Sequence, residues 1–223
     1  MIEVEHLNKA YPLDGRQFKA VDDISLIIQQ GEFLSILGHS GSGKTTLLNL
    51  IGGLTKPNTG TVRIDGQDIW QLSDSQLSEL RNEKMNFIFQ FSSLIPTLNV
   101  VDNVLLPATF GKAKKTDLYD SAVELLEMMG LGGKLRAYPS QLSGGQQRRV
   151  AICRAFINDP AIILADEPTG DLDEETEQEV IAMFRTFNEK KNTTFLIVTH
   201  SSDLASKTDR RFRMTAGRLE AVS

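Results

Sequence analysis

The fold is decided by residues 32–45, which read EFLSILGHSGSGKT. The first six residues are nearly apolar on both faces and run straight into glycine, which is typical of a buried parallel strand that ends at a ligand-binding loop. Leu47, Leu48 and Ile51 follow at helical spacing, and Gly52-Gly53 ends that run. The stretch therefore predicts a strand, a glycine-rich loop and a helix, as found in α/β proteins.

The loop itself has a composition suited to binding phosphate. Residues 38–45 match the pattern G-x-x-x-x-G-K-[ST]. Their backbone N–H groups would form an anion-binding nest beside the helix N-terminus, built from Gly38, Ser40, Gly41, Ser42 and Gly43. Lys44 would reach the β and γ phosphates, the Thr45 hydroxyl would bind Mg²⁺, and Thr46 would contact nearby phosphate oxygens. An ordinary Gly/Ser turn has a similar composition, but the flanking strand and helix favour the phosphate site.

Two carboxylates follow a second apolar strand. Residues 161–165 are apolar and lead into Asp166 and Glu167, at the edge where α/β sheets place their ligands. A buried carboxylate is costly unless a cation or hydrogen bonds compensate it. We therefore predict that Asp166 approaches Mg²⁺ through water and that Glu167 polarises the attacking water. Without the phosphate loop, a turn or a helix cap would explain the same acid pair.

A second glycine pair opens a predicted helix. Residues 142–146 read LSGGQ, so that Ser143 could cap the helix while Gly144, Gly145 and Gln146 present N–H groups to an anion. One nucleotide at Lys44 does not need a second phosphate site, and spacing alone does not place it.

The remaining pattern predicts an inserted helical region in an α/β core. Strands are expected near residues 2–4, 24–28, 61–64, 161–165 and 193–198, and helices near 117–129, 143–158 and 174–190. The simplest division is one domain over residues 1–223, with a core of 1–91 and 159–223 and a helical subdomain of 92–158.

Composition excludes several classes of protein. The chain has 223 residues, one cysteine and a net charge of −5, which argues against a nucleic-acid partner and excludes an intrachain disulfide. No apolar stretch approaches the ~20 residues of a membrane-spanning helix, and the N-terminus does not resemble a signal peptide. We expect a cytoplasmic protein.

The motifs and their order resemble the ABC ATPase family over the whole chain. The resemblance implies a P-loop NTPase (RecA-like) core with an antiparallel β subdomain and an inserted α-helical subdomain, which binds ATP and Mg²⁺. In that family the Ser-Gly-Gly loop of one subunit closes on the γ phosphate held by the other. Residues 143–146 would then complete a composite site in a head-to-tail homodimer.

The resemblance also assigns residues that the pattern alone leaves open. Tyr11 would stack on adenine, Gln90 would sense the metal and the attacking water, and His200 would contact the γ phosphate. Residues 170–173 look like the inter-subunit loop. Taken alone, Tyr11 would be a strand-end aromatic, Gln90 would satisfy a strand end, and His200 would be a packing residue.

Within the family, residues 89–96 and 165–170 look most like the LolD, MacB and FtsE branch. That branch implies lipoprotein release, macrolide or peptide export, or mechanotransmission through integral membrane permease subunits, with a periplasmic adaptor as a further partner. The chain would lie at the cytoplasmic face of the membrane, and residues 91–107 are predicted to receive the permease. The alternatives are a soluble ABC ATPase acting on ribosomes or DNA, which would be expected to carry two motif sets or a basic surface, and a kinase.

Overall fold

The computed structural model describes residues 1–13, 15–111, 114–170 and 172–222. The strands are β1 Ile2–Leu13, β2 Arg16–Ile28, β3 Phe33–Leu37, β4 Thr59–Ile64, β5 Gln67–Asp68, β6 Met85–Ile88, β7 Ile162–Asp166, β8 Thr194–Thr199, β9 Arg210–Thr215 and β10 Arg218–Val222. The α-helices are α1 Lys44–Ile51, α2 Asp74–Lys84, α3 Val100–Val104, α4 Tyr119–Met128, α5 Gly144–Phe156, α6 Glu174–Lys191 and α7 Ser202–Ser206. Short 3₁₀ turns span Ile69–Gln71, Leu106–Thr109, Gly132–Lys134 and Pro139–Gln141.

A six-stranded sheet in the order β10-β9-β3-β8-β7-β6 forms the core. Its strands are parallel except for β10, which pairs antiparallel with β9. The register sets Leu37 opposite Thr199, Asp166 opposite Val198, and Ile88 opposite Ala165. The carboxyl ends of β3, β6, β7 and β8 therefore meet at one edge, which is where ligands bind in such sheets. The predicted α/β class is confirmed.

A four-stranded antiparallel sheet in the order β2-β1-β4-β5 packs beside the core. Both β1 and β2 are longer than the short strands expected from the sequence. Their pairing contains register shifts between Val4 and Ala10. His6 and Asp23 lie in this irregular stretch of the antiparallel ribbon that β1 and β2 form. Both have positive φ, 47° and 53°, although neither is glycine. Bulges of this kind bend a strand locally.

The helical region leaves the main sheet after β6 and returns at β7, so α3, α4 and α5 fall within residues 92–158. Its apolar core joins the outer face of the sheet, through residues such as Phe156, Phe184 and Phe195. A second cluster lies between the two sheets around α1. No helix in the described ranges is long and apolar enough to cross a membrane.

Candidate functional site

The phosphate loop connects β3 to α1 at the shared sheet edge. Gly43 precedes the helix with φ 107°, and a Cβ there would lie 2.0 Å from the carbonyl oxygen of Ala20. Only glycine fits this conformation and this close approach. Lys44 is buried, and its ammonium donates to the carbonyls of Gly38 at 2.7 Å and His39 at 3.2 Å. An ammonium has three N–H donors, and we expect the third to meet a phosphate.

Asp166 ends β7 beside the start of α1. It is 6% exposed, and burial raises the pKa of its carboxyl, an effect that the Glu167 carboxylate adds to. A hydrogen bond with the Thr45 side chain and the positive charges of Lys44 and Arg148 act in the opposite direction. The Thr45 hydroxyl and the Asp166 carboxylate are hard oxygen ligands of the kind that Mg²⁺ prefers, together with phosphate and water.

Glu167 is held in a defined orientation next to this pair. Its backbone adopts φ 46°, an uncommon left-handed conformation for a non-glycine residue. Its Oε2 accepts from the Thr199 hydroxyl at 2.9 Å and from the His200 backbone N–H at 3.2 Å. Nδ1 of His200 lies 3.0 Å from the same oxygen. The end of β8 thus positions the carboxylate that would act on water.

The cleft between these loops has a volume of about 590 Å³. It brings together most of the predicted residues, namely Tyr11, Ser40, Gly41, Ser42, Gly43, Lys44, Thr45, Thr46, Gln90, Asp166, Glu167 and His200. Phe18 and Ala20 of β2 also line it and were not predicted from the sequence. Phe18 pairs with Tyr11 across the antiparallel ribbon, a relation that becomes visible only once the register is known.

The tip of α5 does not line the cleft of its own chain. Ser143 caps the helix, accepting from the Gln146 N–H at 3.2 Å, and its own N–H donates to the Gln146 side chain at 3.1 Å. Gly144 is exposed, and a Cβ there would meet no atom within 4 Å among the described residues. The capping interpretation therefore holds within one chain, and the tip is accessible to a second molecule.

The stretch predicted as an inter-subunit loop is only partly described. Asp171 lies outside the described residues. Asp173 caps α6 by accepting from the Thr176 N–H at 2.9 Å, and this bond lowers the pKa of its carboxyl. Thr169 donates to the Glu177 carboxylate at 2.8 Å.

Comparisons with known proteins agree with these motifs. Residues 21–170 match the family described as ABC transporter. Over its full length the chain is 42% identical to the lipoprotein-releasing system ATP-binding protein LolD of Shewanella frigidimarina, of which it covers 93%. The chain belongs to the ABC transporter family. This ABC chain is also 42% identical to the macrolide export ATP-binding/permease protein MacB of Syntrophobacter fumaroxidans, but it spans only 32% of that protein.

Solved structures place this ABC chain among the ATPase cassettes. It superimposes with a TM-score of 0.93 and 39% identity on the ATP-binding cassette MJ0796 in a dimeric, post-hydrolysis state bound to ADP and phosphate, covering 100% of this chain and 99% of the other. A second dimeric structure of MJ0796, a bacterial ABC transporter cassette, matches at 40% identity. This ABC chain is therefore an ATP-binding and ATP-hydrolysing subunit.

A second, larger groove of about 1160 Å³ lies away from the ATP cleft of this ABC subunit. It runs between α2, the end of β6 and the turn after α3, and Phe89, Leu106, Phe110 and Arg154 are among its lining residues. Ser93, Leu106 and Pro107 belong to the predicted segment 91–107. In contrast, Leu94 packs against the core of the helical region. Much of the groove wall comes from α2, a helix that was not predicted from the sequence.

Proposed function

We propose that this ABC ATPase works as a head-to-tail pair of copies that bind ATP between them and drive a separate membrane permease. One observation carries the proposal: the cleft holds the lysine, the hydroxyls and both carboxylates, whereas the glycine-rich tip of α5 is exposed outside it. A second copy could bring its tip to the open side of the cleft. The dimeric state reported for MJ0796 supports this arrangement.

Different residues of the cleft would bind different parts of ATP. The N–H groups of the loop and the third donor of Lys44 would hold the β and γ phosphates. Tyr11 would stack on the adenine, with Phe18 beside it. Ser143, Gly144, Gly145 and Gln146 of the second copy would close on the γ phosphate through the helix N-terminus.

Magnesium fits the oxygen ligands of this site. Thr45, Gln90 and Asp166 would hold the ion, which supplies neutralisation of the phosphate charge when bound. The raised pKa of the Asp166 carboxyl, caused first by burial, indicates a side chain placed where a cation would compensate its charge.

The Glu167 carboxylate would catalyse hydrolysis. It would accept a hydrogen bond from a water molecule and so orient the oxygen for attack on the γ phosphorus. Thr199 and His200 hold the carboxylate on one side, and His200 is exposed enough to contact the γ phosphate as well. Gln90, which also lines the cleft, would orient the same water.

The partner is proposed to be an integral membrane permease. LolD is named as part of a lipoprotein-releasing system and MacB as an export protein with ATP-binding and permease parts. By analogy, this chain would act at the cytoplasmic face of the membrane in lipoprotein release, macrolide or peptide export, or mechanotransmission, with a periplasmic adaptor as a further predicted partner. The groove beside α2 would receive the permease. A permease-free role on ribosomes or DNA is less supported, because the net charge is −5.

The test is Glu167→Gln in the intact chain. This change keeps the shape of the side chain but removes the base, so ATPase activity should fall by about 10²-fold or more. With ATP and Mg²⁺ the variant should accumulate as a dimer by size-exclusion chromatography with light scattering. Glu175→Gln, which removes an exposed carboxylate of α6, is the matched control and should hydrolyse ATP normally without trapping a dimer. A Glu167→Gln protein that stays monomeric at saturating ATP rules out the composite site.

A further inference from the structure

Arg148 lies in the second turn of α5, directly behind the tip formed by residues 143–146. It is only 2% exposed although it carries a permanent charge. Its guanidinium donates to main-chain carbonyls of two separate segments. Nε donates to Pro168 at 2.9 Å, Nη1 to Phe89 and to Gln90 at 2.6 Å, and Nη2 to Asp166 at 3.4 Å and to Glu167.

These five carbonyls match the five N–H groups of a guanidinium. They belong to the ends of β6 and β7, where the chain leaves the sheet and its carbonyls lose their strand partners. Glu167 and Gln90 are also the two residues proposed to orient the attacking water. One rigid, planar group on α5 therefore fixes the backbone at both of them.

The position of Arg148 along α5 links these contacts to the tip of the helix. A helix transmits displacement as a rigid unit, and only four residues lie between Ser143 and Arg148. In the proposed dimer, the α5 tip of one copy contacts the ATP held by its partner, whereas Glu167 and Gln90 of that copy act on its own ATP. Arg148 thus lies on a short covalent and hydrogen-bonded route between the two ATP sites.

We propose that Arg148 is a positioning residue that couples the two ATP sites of the dimer, by linking the α5 tip at one site to Glu167 and Gln90 at the other. The inference rests on the proposed head-to-tail dimer. Closure of the tip on one γ phosphate shifts α5, and the guanidinium carries that shift to the backbone that orients water at the second site. Hydrolysis at the two sites is therefore cooperative.

The neighbouring Arg149 provides a matched control. It has the same side chain on the same helix, but its Nη1 donates to the carbonyl of Met129 at 2.9 Å, within the helical region. Among the described residues, no hydrogen bond from the Arg149 side chain reaches the ends of β6 or β7. Arg149→Gln therefore tests whether loss of any arginine from α5 has the same effect.

The experiment measures ATP hydrolysis by the intact protein against ATP concentration for wild type, Arg148→Gln, Arg148→Lys and Arg149→Gln. Two coupled sites give a Hill coefficient above one in wild type. In Arg148→Gln the Hill coefficient should fall clearly below the wild-type value, and kcat should fall by about 10²-fold, the effect of a small misplacement of catalytic groups. Arg148→Lys keeps the charge and up to three donors, so its Hill coefficient and kcat should lie between those of wild type and Arg148→Gln. Arg149→Gln should keep the wild-type Hill coefficient.

Binding and folding are measured on the same samples. The Kd for a fluorescent ATP analogue should stay within about twofold in Arg148→Gln, because the nest and Tyr11 are untouched; a merely structural role would instead lower the fraction of protein that binds it. If Arg148→Gln fails to fold, the Hill coefficient and kcat of Arg148→Lys test the proposal instead.

The inference is overturned by a wild-type Hill coefficient of one, by an unchanged Hill coefficient in the Arg148 variants, or by an equal loss in Arg149→Gln. Its failure is distinct from failure of the proposed dimer, which Glu167→Gln tests directly. If Glu167→Gln traps the dimer and Arg148→Gln remains cooperative, only the coupling is wrong.

Discussion

Tyr11 of β1 lines the ATP cleft. The residue is 38% exposed, and the Lys9 ammonium lies 5.2 Å from the ring centroid. A partly exposed aromatic beside a phosphate loop offers a face for a base, and base stacking on an aromatic contributes about 1–3 kcal/mol. We therefore propose that this side chain recognises the nucleoside part of ATP.

We predict that Tyr11→Ala weakens ATP binding by about tenfold, since ~1.4 kcal/mol of stacking is lost, whereas Tyr11→Phe binds normally. Isothermal titration with ATP and with inorganic tripolyphosphate checks this. Only ATP binding should weaken, because tripolyphosphate has no base. Tyr138→Ala removes an aromatic of similar exposure outside the cleft and serves as the control. Equal weakening for both ligands would contradict the role in stacking.

The residues proposed to bind phosphate or metal, or to act on water, could be located from the sequence, because spacing in a local motif places them in one cleft. Lys44, Asp166 and Glu167 belong to this group, since each directly follows or begins an element that the pattern identifies. Phe18 and Arg148 could not be predicted in this way. Phe18 reaches the cleft through the register of β1 and β2, and Arg148 reaches two strand ends through the packing of α5, so both depend on tertiary structure.

Among the elements, the second half of the loop between β6 and α3 contacts one fully buried amide side chain. Asn103 of α3 is fully buried; its Oδ1 accepts from the Ile95 N–H at 2.8 Å, and its Nδ2 donates to carbonyls of Ile95, Leu98 and Asn99 at 3.0–3.1 Å. The Ile95 and Asn99 carbonyls also accept from the main-chain N–H groups of Leu98 and Asn103, so the amide adds to these bonds and supplies partners for the Ile95 N–H and the Leu98 carbonyl.

We predict that Asn103→Ala lowers the free energy of unfolding by about 2–3 kcal/mol, because a fully buried amide is lost and the Ile95 N–H and the Leu98 carbonyl lose their partner. Chemical denaturation gives the value, and hydrogen exchange should show that protection is lost first in residues 95–99. Asn158→Ala, which removes a single long hydrogen bond of 3.5 Å, should cost no more than about 0.5 kcal/mol. A loss below about 1 kcal/mol in Asn103→Ala would show that water replaces the amide.

Element prediction from the sequence succeeded where one face is apolar over a long run. The helices expected at 117–129, 143–158 and 174–190 appear as α4, α5 and α6 with ends shifted by no more than two residues. In contrast, α2 was missed because Leu77 is its one buried residue, so the helix has little apolar periodicity. It is instead defined by the capping box of Ser73 and Gln76.

At the scale of the whole molecule, the ATP cleft and the groove beside α2 are joined by the short segment that follows β6. Gln90 lines the cleft, whereas Phe89 and Ser93 line the groove. Arg154 of α5 donates to the Ser92 and Ser93 carbonyls at 2.8 and 2.9 Å, so α5 also holds the groove side of this segment. A partner in the groove would therefore contact the same segment that carries a proposed water-orienting residue.

The groove also carries an apolar side chain suited to a partner. Phe110 is 75% exposed, and a buried aromatic anchor at an interface commonly contributes 2 kcal/mol or more. We predict that Phe110→Asp weakens association with the permease recovered from membranes of the source cell by at least about tenfold. Because Phe110 is exposed in the free subunit, Phe110→Asp should change the free energy of unfolding of the subunit by less than about 0.5 kcal/mol.

Met128→Asp is the control for this change, since Met128 is also exposed but does not line the groove. Co-purification and permease-stimulated ATP hydrolysis should fall together in Phe110→Asp and stay at the wild-type level in Met128→Asp. If Phe110→Asp retains both, the permease does not depend on Phe110, and Leu98 of the predicted segment 91–107 becomes the next residue to change. Loss of stimulation with full co-purification would instead place Phe110 in transmission of force and not in binding, because contact would then persist without any effect on Gln90.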